Sequence, residues 1–163
     1  MVHALKILVI SDSHGAFRAV EDILEKNSSV KTVIFLGDGE SEIEDMRNLY
    51  PDREFITVCG NCDFGSSAPT GRVAELGGHR IFCTHGHCYG VKSGDLSTLH
   101  RAAASVGCDI ILYGHTHEAR IDYQKGVYCV NPGSVRFSGA GPASYLELNL
   151  DGRNVVPIIV PVE

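Results

Sequence analysis

Five short apolar runs punctuate the first two thirds of the chain: Lys6–Ile10 (KILVI), Thr32–Leu36 (TVIFL), Glu54–Val58 (EFITV), Arg80–Thr84 (RIFCT) and Asp109–Tyr113 (DIILY). They are brief and rich in β-branched and aromatic residues. Their near-continuous apolarity predicts strands covered on both faces. Helical spacing fills the gaps. Phe17, Val20, Ile23 and Leu24 share one helix face, Ile43, Met46, Leu49 and Tyr50 a second, and Leu96, Leu99, Ala103 and Val106 a third. Alternating strand and helix predicts an α/β architecture. The C-terminal third changes character. Arg120–Tyr123, Val127–Val130, Ser144–Leu150 and Val155–Val160 read as strands, with turn signals at Lys125-Gly126 and Asp151-Gly152. Two sheets follow, the later strands largely antiparallel. Gly60–Gly71 is the longest irregular stretch and reads as a loop over a site.

Each of the five early runs ends in a polar cluster. In order these are Asp12-Ser13-His14, Gly37-Asp38-Gly39, Gly60-Asn61-Cys62-Asp63, His85-Gly86-His87 and Gly114-His115-Thr116-His117. Ligands of open α/β sheets bind beyond the carboxyl ends of the strands. The glycines before Asp38, Asn61 and His115 are expected to let the backbone turn sharply there. Any one cluster alone reads better as a capped turn; five at five strand ends do not. Imidazole, carboxylate and amide oxygen without obligatory thiolate suit Mn, Fe, Zn, Ni or Co. Two Asp, one Asn and four His delivered to one rim exceed the needs of one tetrahedral ion and suit two ions sharing a carboxylate, an arrangement that clamps a phosphoryl group in flight. Two divalent ions against Asp12 and Asp38 leave a net positive centre, which draws an anion. A carboxylate in place of Asn61 would cancel that charge.

Composition narrows the classes. The chain has 163 residues, a size that predicts one domain over residues 1–163. Lys plus Arg number 14 and Asp plus Glu 20, for a net charge of −6, so a nucleic-acid partner is not expected. No apolar run has the length of a membrane span, and the start of the chain carries no signal-peptide pattern, which together predict a cytoplasmic protein away from the membrane. The six cysteines are then expected reduced. Cys59-Gly60-Asn61-Cys62 also matches a C-x-x-C redox or zinc pair, against a reading of Cys59, Cys83, Cys108 and Cys129 as small buried hydrophobes. The motifs of nucleotide-binding loops and of serine-hydrolase elbows are absent from the sequence.

The ordered clusters from Asp12 to His117, with Asn131-Pro132-Gly133-Ser134 after them, resemble the calcineurin-like metallophosphoesterase superfamily. Its compact YfcE-type phosphodiesterase branch, which includes the retromer subunit Vps29, is the nearest in pattern and size. The resemblance implies a four-layer αββα sandwich with two mixed β-sheets. It implies that Asp12, His14 and His117 hold a first ion, that Asp38 bridges, and that Asn61, His85 and His115 hold a second. Manganese is the expected ion, with nickel, iron, zinc or cobalt as alternatives, and a metal-bridging hydroxide the nucleophile. Many members carry histidine where this chain has Cys62. A thiol is a poor acid at pH 7, so Cys62 and His87 are both candidates for the group that protonates the leaving oxygen. Asp63 is expected to orient a ligating histidine. Arg72 and Arg136 are candidates for gripping phosphate, and Glu40, Glu42 and Glu44 for complementing a helix dipole. The implied activity is hydrolysis of a small phosphate ester. The alternatives are a Vps29-type binding scaffold and a redox protein built on Cys59 and Cys62.

Overall fold

The structure, a computed structural model, describes residues 4–163. Strands β1 (Leu5–Ile10), β2 (Thr32–Phe35) and β3 (Glu54–Thr57) are parallel neighbours. Between them run helices α1 (Phe17–Lys26) and α2 (Glu40–Leu49). A second sheet holds β4 (Gly71–Leu76), β5 (His79–Thr84), β6 (Ile110–Leu112), β7 (Arg120–Gln124) and β8 (Val127–Asn131), with α3 (Ser97–Ser105) packed on it. Strands β9 (Ser144–Asp151) and β10 (Asn154–Pro161) return to the first sheet, whose order is β10-β9-β1-β2-β3. The second sheet has the order β4-β5-β6-β8-β7. Both are mixed, as expected. The later strands are antiparallel except where β8 runs parallel to β6.

The alternation of side chains along a strand explains the layers. On β1, Ile7 and Val9 face the second sheet, packing with Ile81, Ile110, Leu112 and Val130. Leu8 and Ile10 face α1 and α2, packing with Val20, Leu24, Ile43 and Met46. All four β1 residues are fully buried, because each strand face has its own cover. The same logic places Phe82, Ile111 and Tyr113 under Leu99 and Ala103 of α3. The result is the four-layer αββα sandwich.

Two helix positions differ from expectation. Leu49 and Val106 are exposed. Each step of three residues falls short of a full turn by about 60°, so Leu49, two steps beyond Ile43, has rotated off the buried face. Val106 lies past the end of α3.

Burial sorts the cysteines, all of them free thiols. Cys83 and Cys129 are fully buried, and burial pushes both thiols up to about 12. Cys62 and Cys88 are exposed. Since reaction needs access to the sulfur as well as the thiolate form, iodoacetamide at pH 8 is expected to modify the exposed Cys88 and, more slowly, Cys62 in the native protein, and Cys83 and Cys129 only after denaturation. Peptide mass mapping reads this directly, and modification of Cys83 in the folded state would contradict the packing between the sheets.

Candidate metal centre

The carboxyl ends of β1, β2, β3, β5 and β6 open onto one rim, and the five polar clusters follow them there. The backbone at this rim is unusual. Asp12, His14, Asp38, His115 and His117 all have positive φ, between 39° and 74°, and among the described residues the one other such non-glycine is Lys125 in the β7–β8 turn. Each such conformation costs on the order of 1–3 kcal/mol and persists only where neighbours enforce it. The enforcement is visible. Asp12 N–H donates to the Gly37 carbonyl at 2.9 Å and His14 N–H to the Asp38 carbonyl at 3.0 Å, tying the first two loops together. Close approach explains two of the glycines. A Cβ on Gly60 would lie 2.0 Å from Asp38 Oδ1, and one on Gly114 would lie 2.1 Å from Ser11 Oγ. Neither has positive φ, so here the glycine makes room rather than a turn.

Donor atoms converge in two groups, Asp12 with His14 and His117, and Asp38 with His85 and His115; the atoms of each lie within 4.8 Å of one another. In the first, Asp12 Oδ1 sits 3.2 Å from His117 Nε2 and 3.5 Å from His14 Nε2. In the second, His85 Nε2 sits 3.2 Å from both Asp38 Oδ2 and His115 Nδ1. The buried His85 ring donates Nδ1–H to the Leu36 carbonyl at 2.7 Å, which leaves Nε2 as the free lone pair facing the cluster. Asp12 is held by Ser11 Oγ and His115 N–H on Oδ2, while its buried Oδ1 has no hydrogen-bond partner. A buried carboxylate oxygen without a hydrogen-bond partner, with imidazole nitrogens close by, is costly as it stands. It suits a divalent cation, and so does the donor set of nitrogen and oxygen.

Electrostatics follow the geometry. Burial alone would raise the Asp12 carboxyl, but His117 and His14 hold it well below the usual carboxylate range. Burial likewise opposes ionisation of Asp38, and His85 with the Cys62 N–H outweighs it. The Asp12 carboxylate raises His14. His85 is lowered by burial but raised on balance by Asp38 and Asp12. Burial and the neighbouring His85 bring His115 down to about 4.

The remaining candidates are placed unequally. Asn61 is exposed, its amide 3.6 Å from Cys62 Sγ. Cys62 stands with His14 and Asp38 in a third donor group. Its N–H donates to Asp38 Oδ1 at 2.8 Å, and burial together with Asp38 pushes its thiol up. A redox-active C-x-x-C needs the opposite shift; Cys59 is raised by burial too. His87 is outside the donor groups. Its ring lies 5.4 Å from that of His85, its Nδ1 is buried without a partner, and burial with His85 lowers its pKa, so it is neutral at pH 7. Asp63 orients no histidine. It accepts four main-chain N–H groups instead: Asp38 and Gly60 at 2.7 Å, Gly39 at 2.9 Å and Glu40 at 3.0 Å. It therefore pins the Asp38 loop and caps α2. Glu42 is buried and accepts the Gly15 N–H, fixing the turn after His14. Asn131 donates to the Gly114 carbonyl at 3.1 Å, and Ser134 Oγ lies 2.8 Å from the Asp12 carbonyl. Arg136 reaches the centre, donating Nη1–H to the His14 carbonyl at 2.8 Å. Arg72 lies exposed on β4, opposite Cys83.

Comparison with known proteins agrees with this geometry. Residues 5–153 match the model of the calcineurin-like phosphoesterase superfamily domain. The chain belongs to the calcineurin-like phosphoesterase superfamily. Within it, the chain is 30% identical to the phosphodiesterase YfcE of Escherichia coli, over 94% of this chain and 92% of that one. A solved structure of a predicted phosphoesterase from Streptococcus pneumoniae superposes with a TM-score of 0.82 at 27% identity, covering 99% of this chain and 91% of its own. Vacuolar protein sorting 29 from Cryptosporidium parvum shares the fold at a TM-score of 0.81 and 22% identity, covering 98% and 92%. Calcineurin-like phosphoesterases use divalent metals, and the rim holds candidate ligands for them. Among the described residues no helix is long and apolar enough to cross a membrane.

Proposed function

We propose that this chain is a one-domain cytoplasmic phosphodiesterase that hydrolyses small phosphate esters with two divalent ions, manganese first among nickel, iron, zinc and cobalt. Asp12, His14 and His117 would hold one ion, Asn61, His85 and His115 the other. One observation carries the reading: Asp38 Oδ2 lies 3.2 Å from His85 Nε2 and 3.6 Å from His14 Nε2, so a single carboxylate oxygen faces both donor groups. When bound, the ions supply Lewis acidity and an activated water for in-line attack on phosphorus. The chain's part is to hold the donors in place. Leu36 fixes the His85 tautomer, Ser11 and the His115 N–H fix Asp12, and Asp63 fixes the Asp38 loop. The test is metal-stripped protein assayed on a panel of phosphate mono- and diesters with each ion restored. Hydrolysis without metal, or none with any metal, would overturn the reading.

Little activity is expected below about pH 6. Carboxylate neighbours favour the protonated forms of His14 and His85, whose pKa values are raised. These two imidazoles therefore take up protons first as pH falls and cease to be donors, whereas His115 stays neutral down to about 4. A pH–rate profile with saturating metal checks this; a maximum at pH 4–5 would contradict it.

The match to the vacuolar sorting protein favours a second reading, a protein-binding scaffold with weak catalysis. The presence of a competent donor at every one of the seven positions argues for chemistry.

A further inference from the structure

The two most exposed large hydrophobic side chains among the described residues are Phe64, at 91%, and Phe137, at 72%. Both stand at the mouth of the metal centre. Phe64 lines a cleft with His14, Asp38 and Cys62, and Phe137 lines a smaller hollow with His14, His117 and Arg136. The two hollows meet at His14. Neither ring is on an arbitrary surface loop. Phe64 follows Asp63, which four main-chain bonds lock onto the Asp38 loop. Phe137 follows Arg136, whose guanidinium is locked onto the His14 carbonyl and whose own carbonyl lies 2.6 Å from Ser134 Oγ. The chain thus presents two solvent-exposed aromatic side chains on anchored loops beside the donor cluster at His14.

Charge narrows what those faces can take. The Phe64 cleft is edged by Glu40 and Glu44, which repel any second anionic group there. Arg136 offers its remaining N–H groups beside the centre, a second anchor for one phosphate. A phosphodiester has one negative charge and two substituents, which matches one anion point between two apolar faces. Resting on the phosphodiesterase reading above, we infer that Phe64 and Phe137 determine specificity by stacking on the two flat aromatic substituents of a diester, one on each side of the phosphate.

The test compares bis(4-nitrophenyl) phosphate with ethyl 4-nitrophenyl phosphate. Both expel the same leaving group and differ only in the spectator substituent. Intrinsic reactivity cancels when the ratio of their kcat/KM values is compared between wild type and variants. Replacing the phenylalanine on the spectator side by alanine should lower that ratio about tenfold, and replacing the other should lower kcat/KM for both esters about tenfold, within the range of single stacking contacts. Tryptophan at either position should restore the wild-type values. Losses equal on both esters from both variants, or changes within twofold throughout, would overturn the inference. A binding measurement separates it from the phosphodiesterase reading. Diphenyl phosphate should bind the manganese-loaded protein about tenfold tighter than diethyl phosphate, and Phe64→Ala and Phe137→Ala should each erode that preference. If no ester is hydrolysed with any metal but this preference holds, the phosphodiesterase reading fails and the aromatic site stands. If diphenyl and diethyl phosphate bind alike, the aromatic site fails. A thymidine dinucleotide identifies the ring source: sensitivity of its binding to the two substitutions assigns nucleobases, insensitivity assigns aryl esters, and both support stacking on the pair.

Discussion

Asp38→Ala is expected to abolish turnover, by about 10³-fold or more, because it removes a carboxylate oxygen that lies 3.2 Å from His85 Nε2 and 3.6 Å from His14 Nε2, one histidine of each donor group. Several kcal/mol of charge stabilisation depend on the ions it would hold, and each 1.4 kcal/mol is about tenfold in rate. The other oxygen of Asp38 receives the Cys62 N–H at 2.8 Å, so the substitution also frees the loop that carries Asn61 and Cys62. Its φ of 62° is a second reason for collapse, since alanine tolerates that region worse than aspartate. Asp38→Asn separates the two effects. It keeps the shape and the tolerance of positive φ but loses the charge, and it is expected to lose turnover while keeping the melting temperature. Metal stoichiometry, turnover and thermal melting of both variants make the comparison. Two bound ions and near-wild-type turnover in either would end the two-ion reading.

Cys62→His is expected to raise turnover of alkyl esters by up to about 10²-fold, the lower end of general-acid effects, and that of aryl esters far less. Partial desolvation and the Asp38 carboxylate push the native thiol up, making it a weaker acid than an ordinary cysteine. The neighbouring His87 is neutral at pH 7 and has no proton to spare. The wild-type rate should therefore depend steeply on leaving-group pKa. Aryl diesters leave without help; alkyl diesters do not. The slope of log rate against leaving-group pKa, measured for both proteins at one pH, should be shallower in the variant. An unchanged slope in a folded, metal-loaded variant would remove residue 62 from any acid role. A shallow wild-type slope, with chemistry rate-limiting, would show that His87 or another group already supplies the proton.

The rim was legible in the sequence for a physical reason. Strands covered on both faces carry almost no polar residues, so the Asp, Asn and His that follow β1, β2, β3, β5 and β6 stand out against them. Strand β4 was missed because it is an edge strand with Arg72 and Glu75 facing solvent. Its signal was Gly77-Gly78, a two-residue hairpin turn in which both residues have positive φ. Asp63 was read with the wrong partner. Helix α2 begins after Gly39, which has no side chain to cap it, so its cap arrives from a loop more than twenty residues away. No local pattern announces such a cap. Glu42 was assigned to the helix dipole, and its burial against Gly15 appears only once α2 is docked beside the His14 turn.

The five left-handed backbone positions at the rim have an evolutionary consequence. Glycine would relieve the torsional cost at each of Asp12, His14, Asp38, His115 and His117; Asp12 and Asp38 also accept main-chain N–H groups that tie the rim together, so it is at the three histidines that the proposed ligand duty is the main argument for keeping a side chain. Selection for thermal robustness alone would therefore erode the metal centre before it touched the sandwich that carries it. A lineage that recruited this fold for docking would be expected to lose donors at the three histidines first, and to gain stability as it did so.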